Sequence, residues 1–525
     1  MHVMISTVII VFAAAISIFI SQAIRRVSVS YISMILGGVI SLIPVISSHV
    51  ENFDSDIFMG LIIAPLLFFE GQATRLNAVG KELKHIMQTA GFLVLLCMVV
   101  SGFSVVWITG ISLPLAFILS AISTPTDATA LDSVSEGLKI PNNEGTFLKM
   151  ESLFNDASGI ILLNMAILWY VKGYIDYGAT LLNFVVSAVG GILFGFATAF
   201  VMVLFRQFLL RTSFNSLNAQ NLLYIITPLV IYYLAEEIHV SGIIAVVCAG
   251  LVHNAEAQRS RLTNAPQVHQ GFGLVSMITE IFDSTAFVIL GYMFVKIIIQ
   301  DKNAIHDLNW LLIGVTLYII SLIIRYLYAC LRLKMSNKSA WIFSLGGVHG
   351  AITLALAYML KEVQVNNGDF HLVLMAEGTL IILSLIVPTI VFNFILKSDI
   401  TNDQVKQEVN QLRLNMVKEA IEAVNKMYLP DKIKKSVIFD LMTQKQRTKT
   451  KDFMRAWIDV VRHPEFDRTE KELEMRAFMN AFDKEREYLD GVSQSEEKYQ
   501  KYIYDLYSEV LLAETLVIEP LNSKN

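Results

Sequence analysis

The sequence predicts an all-α polytopic membrane protein of about thirteen transmembrane helices, with inverted repeats, two broken crossing helices and a cytosolic helical tail. Three observations carry this. Of 525 residues, 54% are hydrophobic and 17% charged, with a mean hydropathy of +0.55, whereas ordinary globular domains carry roughly a quarter charged residues. Apolar runs of spanning length recur along the chain. Two of those runs are interrupted by proline or glycine beside ionisable side chains.

The spans fall at 4–24, 29–47, 56–73, 87–109, 113–133, 146–171, 179–205, 221–238, 240–254, 275–299, 309–330, 340–360 and 371–396. The opening run carries its charges after it, at Arg25 and Arg26, which fits a first membrane helix and not a cleaved signal. Basic residues occupy every second loop: Arg25/Arg26, Arg75/Lys81/Lys84, Lys139/Lys149, Arg206/Arg211, Arg259/Arg261 and Arg332/Lys334/Lys338. The loops between them are poorer in basic residues, as at 48–55 and at 300–308 with Asp301, Lys302 and Asp307. Basic loops face the cytoplasm, so the N-terminus is expected outside a cell membrane and the C-terminus inside.

After Lys397 the composition turns charged and helix-forming, dividing the chain into a transmembrane domain at 1–397 and a helical C-terminal domain at 398–525. The stretch Val405–Met427 has the period of an amphipathic helix. The tail's single glycine, Gly491, cannot build a Gly-rich nucleotide-binding turn, so no nucleotide is expected. A net charge of −5 argues against a nucleic-acid partner. Cys97, Cys248 and Cys330 stand isolated in apolar runs and read as small buried hydrophobes.

Ionisable side chains inside spans cost on the order of 2.5–3.5 kcal/mol each on insertion scales and are functional suspects by default. Here they are Glu70, Asp127, Glu151, Asp156, Asp283 and His349, with Glu280 and Glu377 nearer span ends. Ser152 and Asp156 lie four residues apart and share a helix face. Glu151 and Asp156 are five apart, about 140° around the helix, so one helix cannot aim both at one ion. Glu151 therefore needs a partner on another helix. Pro125 in mid-span frees a carbonyl, and Gly346, Gly347 and Gly350 offer a second break. Such paired interruptions point to the midplane site of an inverted-repeat transporter. They expose half-helix dipoles that Asp127 and His349 are placed to neutralise. Taken singly, Asp283 reads equally as a structural hydrogen-bonder or a functional group, His349 as packing and Pro125 as a kink. As a set, such buried groups would be a heavy burden without a transport task.

At these residues the chain resembles the sodium/proton exchanger domain of the monovalent cation:proton antiporter superfamily, in its NhaP-like and animal branch, over roughly 5–397. The motifs are Leu66-Leu-Phe-Phe-Glu-Gly71, Pro125-Thr126-Asp127, Glu151-Ser152-x-x-Asn155-Asp156, Asp283-Ser-Thr-Ala-Phe-Val-Ile-Leu-Gly291 and Gly346-Gly-Val-His-Gly-Ala351. The resemblance implies that Asp156 carries the exchanged cation or proton. Glu70, Ser152 and the Thr126 backbone would complete the oxygen shell around Na⁺, Asn155 would position the site, and Glu151 would be a structural ion-pair member. It also implies a homodimer. The sequence departs from the family pattern in having Ala128 in place of proline, His349 in place of arginine, and Asp283 where asparagine is usual. With His349 at that position, a titratable imidazole becomes the expected partner of Glu151.

The expected activity is secondary antiport of Na⁺ (with Li⁺ or K⁺ as alternatives) against H⁺, with no cofactor beyond the transported ions. A buried carboxylate is poorly stable as a bare anion, so Asp156 holds either a proton or a cation. Asn155 in place of a second acid implies electroneutral exchange. A K⁺/H⁺ antiporter is the nearest alternative, and a cation channel would need no competing carboxylate. An intramembrane protease would need a Gly-x-Gly-Asp or His-Glu-x-x-His string, and neither occurs.

Overall fold

The computed structural model describes residues 2–24, 27–50, 55–74, 80, 84–173, 177–210, 212, 217–260, 265–300, 308–361, 365–398, 402–443, 467–495 and 500–518. Arg25, Arg26, Arg75, Lys81, Arg211, Arg261, Asp301, Lys302 and Asp307, which the orientation argument uses, lie outside the described residues. The chain divides into two compact units, Met1–Lys397 and Ser398–Asn525.

The first unit is built from helices α1 (His2–Ala23), α2 (Val29–Leu42), α3 (Ala64–Ala73), α4 (Val94–Thr109), α5 (Leu113–Ile122), α6 (Ala128–Val134), α7 (Asn142–Lys172) and α8 (Tyr177–Leu210). It continues through α9 (Leu217–Glu237), α10 (Gly242–Ser260), α11 (Ala265–Gln300), α12 (Asn309–Leu331), α13 (Asn337–Leu345), α14 (Ala351–Met359) and α15 (Asn367–Ile395). Counting α5 with α6 and α13 with α14 as single broken crossings gives about thirteen spans. Among the described residues, seven helices are individually long and apolar enough to cross. Large apolar side chains such as Phe19, Trp107, Leu193 and Phe208 face outward. A water-facing surface would not carry them in such number; lipid accepts them.

Because lipid supplies no hydrophobic drive between helices, close backbone approach has to hold the bundle together. Glycines provide it. A Cβ at Gly291 would strike the Met34 carbonyl, and one at Gly37 the Val288 carbonyl, so α2 lies directly on α11. Gly250 against Phe68 and Gly71 against Val247 join α3 to α10 in the same way. A Cβ at Gly159 would come within 2.5 Å of Pro125 Cγ, which seats α7 on the first broken stretch.

The second unit comprises α16 (Asn402–Lys426), α17 (Asp431–Thr443), α18 (Arg468–Ser495) and α19 (Gln500–Ile518). Met416, Val417, Ala420 and Val424 of α16 pack with Ile433, Val437, Phe482, Leu489 and Leu506 into one apolar core. Glu485 of α18 is fully buried, and neither of its oxygens has a hydrogen-bond partner among the described residues. Burial pushes its carboxyl up to about 7, and Arg413, which is paired to Glu509 at 2.7 Å, pulls weakly the other way.

The folded unit thus holds a proton that an unfolded chain releases near 4.5. Its stabilisation is full below that value and is lost as pH rises through about 7. Glu485→Gln is expected to flatten this loss and to leave the 402–518 region more protease-resistant than wild type at pH 8. Limited proteolysis of the full chain across pH measures both.

Candidate functional site

Breaking a helix at membrane depth strands backbone donors and acceptors, each of which must find a partner. The five residues between α5 and α6, Ser123 to Asp127, and the five between α13 and α14, Gly346 to Gly350, cross one another and meet this demand together. The Asp127 amide donates to the Val348 carbonyl at 2.7 Å. The carboxylate of Asp127 then caps both outgoing half-helices. Oδ1 accepts from the Thr129 and Ala130 amides at 2.9 and 3.0 Å and from the Thr129 hydroxyl at 2.7 Å; Oδ2 accepts from the Ala351 amide at 3.1 Å. One negative charge thereby answers two positive helix ends. Position 350 has to be glycine, because a Cβ there would overlap Asp127 Oδ2.

The remaining freed groups are met by side chains. The Thr126 amide donates to Asn155 Oδ1 at 3.3 Å, and the Asn155 side-chain amide donates to Thr126 Oγ1 at 2.7 Å. Ser152 Oγ donates to the Thr126 carbonyl at 2.6 Å. Pro125 exposes its carbonyl, which sits 2.7 Å from His349 Nδ1. A carbonyl can only accept, so Nδ1 carries the hydrogen and the tautomer is fixed. The His349 amide donates to Ser384 Oγ at 3.0 Å.

His349 is therefore not the partner of Glu151, contrary to the sequence expectation. Arg325 of α12 is. Its guanidinium meets Glu151 at 2.5 and 3.0 Å in a bidentate pair, donates to the Phe343 carbonyl at 3.2 Å, and lies 4.5 Å above the Phe343 ring. Gly347 leaves the room, since a Cβ there would come within 2.5 Å of Arg325 Nε. The imidazole is drawn instead to the carbonyl that Pro125 frees. Arg325 was missed although it stands alone in the apolar run Leu322-Ile-Ile-Arg-Tyr-Leu327; a buried arginine there was the available signal.

Asp156 is different. It is fully buried, and neither oxygen has a hydrogen-bond partner among the described residues. One turn back on α7, Ser152 spends its hydrogen on Thr126, which leaves its oxygen lone pairs free. Helix α3, which carries Glu70, packs on α7. Glu70 in turn borders a cavity of about 520 Å³ whose wall also includes Thr129, Asp132, Glu136, Glu280 and Asp283. Among the described residues, five acids and no basic residue line it; Lys149 pairs with Asp132 at 2.7 Å. Asp156 is not part of that wall. Asp283 Oδ1 lies 3.5 Å from the Thr129 hydroxyl, which points its hydrogen at Asp127. Glu377, which hydropathy put nearer a span end, is fully buried inside α15.

The chain matches the family model described as sodium/hydrogen exchanger, transmembrane, over residues 8–398. It is 30% identical over 409 residues to a sodium, potassium, lithium and rubidium/H⁺ antiporter of Bacillus pumilus, covering 74% of this chain and 61% of that relative. It is 29% identical over 507 residues to an uncharacterised Na⁺/H⁺ exchanger of Escherichia coli, covering 91% and 92% of the two chains. The chain thus spans less than two thirds of the Bacillus relative's length. Among solved structures, the sodium proton antiporter MjNhaP1 of Methanocaldococcus jannaschii superposes with a TM-score of 0.59 at 18% identity, over 74% of this chain and all of that one.

Removing one member of a buried ion pair strands the other charge and costs about 3–5 kcal/mol. Arg325→Met and Glu151→Gln are each expected to lower the unfolding temperature of the detergent-purified protein sharply. The double substitution should regain most of the loss, and thermal unfolding of the three variants measures it.

Proposed function

The chain belongs to the sodium/hydrogen exchanger family, and from that premise we propose that it is a secondary antiporter exchanging Na⁺ for H⁺ at Asp156. The observation that carries this reading is the isolation of that carboxylate, buried with no hydrogen-bond partner among the described residues. A bare anion in that setting lacks the solvation it needs. It becomes stable in two ways, by holding a proton or by holding a cation, and the two occupants exclude each other. That competition couples two gradients without another energy source.

Sodium is a hard ion that takes carboxylate, hydroxyl and carbonyl oxygens, as other hard cations do. Ser152 Oγ and the Thr126 carbonyl supply such oxygens on the side of α7 that carries Asp156. Glu70 borders the acid-lined cavity, and its helix α3 packs on α7, which carries Asp156. The acidic wall concentrates cations before they meet the site. Asn155 holds the Thr126 segment in place through both ends of its amide. Glu151 with Arg325, and Asp127 with the two half-helix ends, fix the frame. Potassium and lithium are further candidate cargoes, since the Bacillus pumilus relative is named for them.

In this reading the cavity is the open cytoplasmic vestibule, the N-terminus lies outside, and the C-terminal unit is cytosolic. The protein works in the cell membrane as a homodimer and as a transporter, not an enzyme. Site access alternates as one part of the bundle rocks against another around the crossing. Asn155 carries no proton, so the exchange is one ion for one.

Asp156→Asn is expected to insert and fold yet reduce cation-dependent proton flux in proteoliposomes to the level of protein-free vesicles; flux near wild type would overturn the assignment. With pH clamped on both sides, an imposed membrane potential should leave the wild-type rate unchanged, and a voltage-dependent rate would overturn the one-for-one stoichiometry.

A further inference from the structure

A second bare acid lies deep in the transmembrane unit. Glu377 of α15 is fully buried, and both of its oxygens lack hydrogen-bond partners among the described residues. Its surroundings follow from the helix faces. Ala376 and Thr379 face Gly314 of α12, and Gly378 faces Phe294 of α11. Phe370, Glu377 and Ser384 recur every seven residues, so they share one face to within about 20° per repeat. Phe370 meets the Tyr358 ring at 5.9 Å, and Ser384 binds the His349 amide at 3.0 Å. Glu377 therefore faces α14. The antiparallel register set by those two contacts brings it level with Thr353, whose buried hydroxyl also has no partner among the described residues.

The position lies on the far side of the crossing from the acid-lined cavity. On α11 the cavity is lined by residues up to Asp283 and Ser284, whereas the α15 stretch at Glu377 is level with Phe294. Eleven helical residues at ~1.5 Å each put roughly 16 Å between Asp283 and that level.

Among the described residues, no charged side chain compensates Glu377. Around it, Arg325 of α12 is committed to Glu151, and Lys296 of α11 to Tyr292 and the Val50 carbonyl. Asp283 lines the cavity, His349 before α14 is bound to Pro125, and Asp127 and Asp132 at α6 are capped or paired. Tyr318 and Tyr358 are neutral phenols, and Lys338 of α13 is exposed.

We propose that Glu377 is a second proton-binding site, separate from Asp156, that keeps its proton while the α14–α15 side is sealed and releases it when that side opens to water. The unpartnered carboxyl, the matching Thr353 hydroxyl and the absence of a countercharge among the described residues all favour the neutral acid in the sealed state. Water entering between α14 and α15 supplies the solvation that the anion needs. Protonation and closure then reinforce each other, as linkage requires. The proton is taken up from and returned to the same compartment, so the exchange at Asp156 keeps its stoichiometry. Acid on that side holds the transporter closed there. This inference rests on the exchange reading above.

The test uses full-length protein in oriented proteoliposomes. The cation on the α14–α15 side is saturating, so that the proton no longer competes at Asp156, and pH on the other side is clamped. Wild-type exchange is expected to slow about fivefold between about pH 8 and about pH 6 on the α14–α15 side. Glu377→Gln should abolish that dependence and Glu377→Asp should restore it. A Gln variant with the full wild-type dependence overturns the proposal. A second readout needs no variant: a hydrophobic carbodiimide, which attacks protonated buried carboxyls, should modify Glu377 at low pH and progressively less as pH rises, whatever the Na⁺ concentration. Modification independent of pH would make Glu377 a permanently neutral structural acid and overturn the proposal. Absence of exchange in wild-type vesicles defeats the exchange reading instead, and the carbodiimide result still decides whether Glu377 titrates.

Discussion

The frame of the transmembrane unit depends on Asp127. Two helices broken at membrane depth would be untenable singly, because each leaves backbone groups without water to solvate them. Crossed at Asp127 they become mutually sufficient: its amide donates to one broken stretch and its carboxylate caps the half-helices leaving both. Pro125, Thr126 and His349 are then accounted for by neighbours that the crossing itself brings near. Gly350 and Gly159 allow the approach, and any side chain in either place would force the crossing apart.

Against that accounting, the acids separate into two kinds. Asp127 and Glu151 are saturated, one by backbone amides and one by Arg325, and their charge serves architecture. Asp156 and Glu377 are buried with no partner among the described residues. A protein that satisfies almost every freed backbone group in one region has no general reason to leave a carboxylate bare in its interior. In the exchange proposed above, the bare acids are where protonation or a cation would complete the chemistry, and the saturated ones hold the surrounding geometry.

The Glu151–Arg325 pair illustrates how specificity is shared out. A buried ion pair adds little net stability over an apolar replacement, yet its members cannot be separated without leaving a stranded charge. It ties the middle of α7 to α12 and, through the Phe343 carbonyl, to the end of α13. The helix that carries Asp156 is thereby fixed relative to one of the two broken crossings. Gly347, one position into the second break, provides the space that the guanidinium occupies.

Much of this was readable from the chain alone. Hydropathy located the spans, Pro125 and the glycines at 346, 347 and 350 marked both breaks, and four-residue spacing put Ser152 and Asp156 on one face. These are local properties, fixed by helix geometry and solvent preference within a few residues. Pairing between distant residues was not readable. Glu151 and Arg325 are 174 positions apart, and the choice of arginine over His349 depended on which helix faces met. Glu377 looked peripheral because hydropathy reports distance from a span's end, whereas burial depends on the neighbours packed around it. Tertiary packing alone decided which acids would be satisfied and which left bare, because desolvation and hydrogen bonding are set by what surrounds a group in space.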